Sequence, residues 1–177
     1  MLAHEALSHL KSQTGFQPLG EAVGNLTLGR GQLGGTQGHV AIVENRIASG
    51  SLGAKESDKL ASLFKVAAAQ KAPLLMYLDS AGARISEGLP ALGAFRHMYR
   101  AALNLAASGV PVTAVCGANC FGGASMLASL AGARYFSANT RFAMSGPAIL
   151  AQSAGASVLD DMFQAMAQSA IGMDARV

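Results

Sequence analysis

Charge is scarce in this chain. Lys, Arg, Asp and Glu make up 13% of its 177 residues, against about 25% in an average soluble domain, while 51% are hydrophobic. With so few charges, part of the surface is expected to be covered by other polypeptides. The 13 basic residues are dispersed, for a net charge of +3. No basic run is interleaved with aromatics, so a nucleic-acid surface is not expected. No apolar run reaches the ~18 residues that a membrane span needs. Residues Met1 to Leu10 lack a basic start ahead of an apolar core, so no secretory leader is expected and a cytoplasmic location is. The two cysteines, Cys116 and Cys120, have no Cys/His cluster around them; neither a disulfide framework nor a metal site is expected. A Gly-x-Ser-x-Gly elbow is missing too, and no other convincing nucleophile stands out.

What is present reads as one domain over 1–177, within the ordinary range of domain length. Residues 1–20 give a short helix (Leu2, Ala6, Leu7, Leu10) and a lead-in loop. Val23–Leu28 and His39–Glu44 read as strands joined by a glycine-rich turn over 29–38. An amphipathic helix is predicted over Lys55–Gln70, with Leu60, Leu63, Phe64 and Ala67 in one stripe. Pro73–Leu78 and Val110–Cys116 are continuous apolar runs, as in strands covered on both faces. Leu89–Ala107 is a long helix and Phe121–Ala131 a short one. Short strands follow at Arg134–Ser137 and Arg141–Met144, Gly146-Pro147 breaks the chain, and a last helix is predicted over Ser157–Ile171, within a C-terminal segment 157–177. This alternation is α/β with largely parallel pairing and right-handed crossovers. Ligands of such sheets sit beyond the carboxyl ends of the strands.

Two glycine loops fall at those ends: Asp79-Ser-Ala-Gly-Ala-Arg84 and Cys120-Phe-Gly-Gly123. Each could serve only close packing or a turn. Together, at equivalent places, they point to a shared job. Glycine leaves backbone N–H groups unshielded, and such donors about 3 Å from a developing oxyanion stabilise it by roughly 3–4 kcal/mol each. Decarboxylation of a malonyl thioester and carboxylation of an acyl thioester both pass through an enolate that needs this help and no nucleophile. Arg84 and Glu87 flank the first loop, either holding a carboxylate or phosphate or forming a solvated or interface ion pair. His97 reads as a packing or interface residue. Cys120 would be a nucleophile only with a lowered pKa. Ser145-Gly146-Pro147 either shapes a pocket wall or ends a strand. Scattered basic residues near the site suit an acidic carrier protein or CoA phosphates.

The motifs also resemble a known family. Gly50-Ser-Leu-Gly53, Asp79-Ser-Ala-Gly-Ala-Arg84 with Glu87, Cys120-Phe-Gly-Gly-Ala-Ser125, and Ser145-Gly-Pro147 followed by Gln152-Ser-Ala-Gly155 occur in order. Over residues 38–160 the chain is similar to the carboxyltransferase branch of the crotonase-like superfamily, and within it to β subunits of biotin-independent malonate decarboxylase. The resemblance implies a spiral β-β-α fold and a partner subunit of related fold. It implies a malonyl group on a carrier protein with a CoA-derived arm, or acyl-CoA, as substrate, with no covalently bound cofactor, biotin or metal. Oxyanion donors fall by this resemblance at Gly82, Ala83, Gly122 and Gly123. Ser80, Ala81, Arg84, Glu87, Cys120, Phe121, Ser145, Gly146 and Pro147 would line the substrate.

The chain departs from the family pattern at three points. Ala81 stands where the first loop usually has glycine, and positive φ there would strain it. Ala148 stands where Glu often follows Gly-Pro. The chain stops at Val177, before the helices that usually complete such a domain. Three other readings therefore stay open: the carboxyltransferase half of a biotin-dependent acyl-CoA carboxylase, a crotonase-type hydratase or isomerase using Glu87 as its acid/base, and a non-catalytic scaffold subunit.

Overall fold

A computed structural model describes residues 1–146 together with Ser169, Ile171 and Gly172. Helix α1, Ala3–Thr14, ends at Gly15 in the left-handed conformation that glycine adopts without cost. It is followed by the short strand β1, Gln17–Pro18, and by β2, Leu26–Leu33, and β3, Thr36–Val43. The stretch 29–38 is thus not a long glycine-rich turn. Both strands run through it, and only Gly34-Gly35 turns, with φ of 59° and 82°, the signs of a hairpin turn that suits the twist of antiparallel strands. The strand glycines make room for neighbours: a Cβ at Gly31 would lie 2.9 Å from Thr14 Cβ, and one at Gly38 2.6 Å from the Pro73 carbonyl oxygen.

Three helices then alternate with strands: α2, Ala54–Gln70; β4, Leu74–Ser80; α3, Leu89–Ala107; β5, Val112–Phe121; α4, Gly123–Ser129; β6, Ala133–Phe136; β7, Arg141–Ala143. The sheet order is β1-β2-β3-β4-β5-β6, with β7 also paired to β5. The first two pairings are antiparallel and the rest parallel. The described part is therefore the expected α/β arrangement, opened by an antiparallel hairpin.

Helices α2 and α3 cover one face. On α2, Leu60, Phe64 and Ala67 are buried at i, i+4, i+7; on α3, Met98, Ala102 and Leu105 do the same. They meet Leu74, Met76 and Leu78 of β4 and Ala114 and Cys116 of β5 in one core. Burying each large side chain contributes roughly 1.5–3 kcal/mol. On the other face α1 packs Leu10 against Val40, Ile42, Leu75 and Tyr77, and Tyr77 donates its hydroxyl to the Ala3 carbonyl at 3.1 Å.

Strand β5 runs five residues further than its apolar stretch suggests. Leu78 pairs with Cys116 but Ser80 with Cys120, so β5 carries two extra residues against β4, a bulge. Gly117 permits it: a Cβ there would lie 2.6 Å from Asp79 Cβ. The helix expected over Ser157–Ile171, and Pro147 with Gln152–Gly155, lie outside the described residues, apart from Ser169 and Ile171.

Candidate active site

Three loops converge at the carboxyl ends of β3, β4 and β5. The first, Ala48–Gly50, is a left-handed turn, with φ of 45°, 55° and 71°. Ala48 and Ser49 hold a conformation costly for residues with a Cβ. Gly50 cannot carry one, since it would collide with the Asp79 carbonyl oxygen. The second loop, Ser80–Arg84, is laced to the first: Ala81 N–H donates to the Ser49 carbonyl (2.9 Å), Leu52 N–H to Gly82 (2.7 Å) and Arg84 N–H to Leu52 (2.8 Å). In this loop Gly82, not Ala81, takes the positive φ, at 93°, so the alanine is unstrained.

The third loop, Phe121-Gly122-Gly123, turns β5 into α4, with φ of 54° at Gly122. It packs against the second so tightly that a Cβ on Gly82 would come within 2.7 Å of Gly123 N and 3.0 Å of the Phe121 carbonyl oxygen. Hydrogen bonds sort the four sequence-predicted donors. Gly122 N–H is shared between the Ala143 and Met144 carbonyls, both at 3.1 Å. Gly82 N–H donates to Ser80 Oγ at 3.0 Å. Ala83 and Gly123 N–H meet no acceptor among the described residues.

Ala81, Ala83 and Arg84 line an open cleft of about 810 Å³, together with Ala48, Ser49, Ser51, Asn119, Phe121, Arg141 and Gly146. Its floor is built on Phe121, which packs with Ala143 and Ile171. A Cβ on Gly146 would lie 3.4 Å from the Phe121 ring, and Ser145 beside it is half-buried.

Arg84 is neither solvated nor free. Its Nη2 donates to Glu56 Oε1 (2.6 Å) and the Ser51 carbonyl (2.6 Å), its Nη1 to Glu87 Oε1 (2.8 Å), and its Nε to Ser51 Oγ (3.3 Å). Burial alone would lower the guanidinium pKa; the hydrogen bonds and charges of Glu56 and Glu87 outweigh it and hold it above its usual value. Glu87 Oε2 accepts from Ala54 N–H (2.9 Å). That bond, then Arg84, holds the Glu87 carboxyl below its ordinary range. Glu56, 3% exposed, carries no motif in the sequence, and only the fold reveals it as Arg84's buried counterion.

Cys120 is fully buried, and Cys116 beside it, together with burial, pushes its thiol pKa far up, the reverse of what a nucleophile requires. Asp79 lies behind the cleft. Burial raises its pKa, opposed by the N–H groups of Asn119 and Ala118 at 3.1 and 3.3 Å. Asn119 and Arg141, not singled out by the sequence, are brought to the cleft by the β5–β7 pairing. Among the described residues no group of three or more His, Cys, Asp or Glu could hold a metal, and no helix is long and apolar enough to cross a membrane.

A mixed, largely parallel sheet with two glycine loops packed at the carboxyl ends of its parallel strands defines a carboxyltransferase-type α/β domain of crotonase-like fold. The carboxyl transferase domain model matches residues 3–170, and the chain belongs to that family. The methylmalonyl-CoA carboxyltransferase 12S subunit of Propionibacterium freudenreichii subsp. shermanii is 32% identical over 134 residues, 75% of this chain and 25% of that protein. A transcarboxylase 12S structure with methylmalonyl-coenzyme A and methylmalonic acid bound superposes with a TM-score of 0.78 at 26% identity, over 99% of this chain and 36% of the other. The Pseudomonas malonate decarboxylase MdcD-MdcE hetero-dimer gives 0.73 at 26% identity, over 90% of this chain and 72% of the other. The chain thus spans about a quarter of the length of that curated relative.

Proposed function

We propose that the chain is a subunit of a malonyl-thioester decarboxylase. The observation that carries the reading is the pair of N–H groups, on Ala83 and Gly123, that meet no acceptor among the described residues and sit on two loops packed against each other. A thioester carbonyl oxygen placed between them gains negative charge as the bond from the α-carbon to the carboxylate breaks. The electron pair of that bond moves into the enolate, CO2 leaves, and a proton then reaches the α-carbon to give the acetyl thioester. Donors fixed before the reaction cost no reorganisation during it. Gly82 and Gly122 act beside them by shape, one allowing the close approach of the loops and the other aiming the turn. Ser80, Ala81, Phe121, Ser145, Gly146 and Pro147 belong to the walls around the acyl group. Arg84, Glu87 and Cys120 hold the loops in place.

The likeness to malonate decarboxylase supports decarboxylation. The sequence likeness to a methylmalonyl-CoA carboxyltransferase supports a second reading, transfer of a carboxyl group between biotin and an acyl-CoA. Exposed Ile85 and Leu89 beside the second loop, 73% and 82% accessible, support a partner subunit of related fold seated over the cleft. A CoA-derived arm, carried by an acyl carrier protein or as free CoA, would deliver the substrate, and the cytoplasm is the setting that fits.

The test is to incubate the protein, alone and with its partner subunit, with malonyl-CoA and with malonyl carrier protein, without biotin or ATP, and follow acetyl thioester by mass spectrometry. Acetyl product is expected with both subunits. Its absence with a correctly folded pair, alongside carboxyl transfer once carboxybiotin is added, would replace the decarboxylase with the second reading. Gly82→Ala, whose methyl would sit 2.7 Å from Gly123 N, is expected to lower turnover by about 10²–10³, as loss of one oxyanion donor does.

A further inference from the structure

Two arginines line the cleft, and they differ in what neutralises them. Arg84 has Glu56 at 2.6 Å and Glu87 at 2.8 Å. Arg141 has no carboxylate within 4.0 Å among the described residues. Its Nη2 donates to a neutral oxygen, Asn119 Oδ1, and its guanidinium carbon lies 5.8 Å from the centroid of the Phe121 ring. The nearby carboxylate, Asp79, is committed to the backbone N–H groups of Ala118 and Asn119 and does not line the cleft. Arg141 is therefore a held cation with no carboxylate in contact among the described residues; Asp79 acts on it only at longer range, through its charge. Its orientation is fixed by an amide and an aromatic face, and donors remain for a planar oxyanion.

Its place is equally specific. Arg141 pairs with Asn119 in the β5–β7 ladder, and two residues further on Ala143 accepts from Gly122 N–H. Arg141 thus stands beside the turn that carries the Gly123 donor, at the acyl end of the cleft. The phosphates of a CoA molecule are separated from its thioester by the whole pantetheine arm and would fall elsewhere.

We infer that Arg141 binds the free carboxylate of a dicarboxylic acyl thioester and so selects malonyl-type over acetyl-type substrates. This rests on the reading of the cleft as an acyl-thioester site. A charge-assisted, two-pronged contact of this kind discriminates against an acyl group that lacks the carboxylate, because an acetyl thioester leaves the half-buried Arg141 donors without that partner.

The test compares binding of malonyl-CoA, acetyl-CoA and adenosine 3′,5′-bisphosphate to the wild-type chain and to Arg141→Gln and Arg141→Lys, by calorimetry, with turnover measured separately. Wild type is expected to bind malonyl-CoA at least tenfold more tightly than acetyl-CoA. Arg141→Gln is expected to lose that preference, Arg141→Lys to keep part of it, and the bisphosphate to bind all three alike. Equal binding of both acyl-CoAs by the wild type overturns the proposal without any variant. So does an Arg141→Gln that keeps the preference, or one that weakens the bisphosphate and both acyl-CoAs by the same factor, which would place a CoA phosphate on Arg141. Turnover without malonyl preference would sink Arg141's role and leave the decarboxylase standing. Malonyl preference lost in Arg141→Gln, with no turnover in any form, would keep the role and sink the decarboxylase.

Discussion

Arg84 shows how a charged residue beside a glycine loop can be spent on holding that loop. Its guanidinium ties the Ser80–Arg84 loop to Ser51, to the start of α2 through Glu56, and to Glu87. Replacing it with Gln leaves the Glu56 carboxylate buried without its counterion, a loss of about 3–5 kcal/mol by analogy with other broken buried pairs. Urea denaturation of Arg84→Gln checks this, and a loss within experimental error would mean that water reaches Glu56. The two acidic groups around the site respond to pH in opposite senses. Glu87 has a folded pKa below its ordinary 4.5, so its contribution is present above that value and lost as pH falls through the folded one. The advantage of wild type over Glu87→Gln should fade at acid pH. Asp79 has a folded pKa above its ordinary 3.8, so the folded chain holds its proton more tightly. Wild type should gain stability relative to Asp79→Asn as pH falls through that raised value toward 3.8. Denaturation midpoints across pH measure both, and parallel curves for the two variants would refute the assignment.

At the scale of elements, α2 and α3 share their load through a few large side chains. Phe64 is 1% exposed and lies in the core under both helices; Phe64→Ala is expected to cost about 3–5 kcal/mol, read as a drop in the denaturation midpoint at unchanged slope. These helices were legible because their apolar residues recur at helical spacing, and α3 falls on Leu89–Ala107 as read. The hairpin and β5 were less so. Glycines at 29, 31 and 38 read as turn residues, yet they serve close packing inside strands, which only the neighbours Phe16, Thr14 and Pro73 reveal. Gly117 hid the continuation of β5 in the same way. In the site, the two glycine loops were legible because both sit at strand ends. Which of their N–H groups are engaged was not, since Gly122 is satisfied by β7, more than twenty residues away. Glu56, Asn119 and Arg141 carry no local signal, because each acts through a contact made by tertiary folding.

The whole molecule presents apolar surface where the cleft opens. Ile85 and Leu89 are largely exposed and Leu92, one turn further along α3, is 45% exposed, while charged side chains that would normally cover a helix start are few. If a partner subunit sits there, burial of these three side chains should contribute a good part of the association energy, as apolar anchors at the centre of an interface do. Substituting Asp at both Ile85 and Leu89 removes apolar area and adds two like charges without touching the core, so the circular dichroism spectrum and denaturation midpoint of the isolated chain should hold. Co-elution with the partner subunit on gel filtration should be lost, with the shared turnover lost in proportion. A double variant that still co-elutes and turns over normally would show that the partner contacts another face. The open end of the cleft would then be a route for the acyl arm rather than a seat for a second subunit.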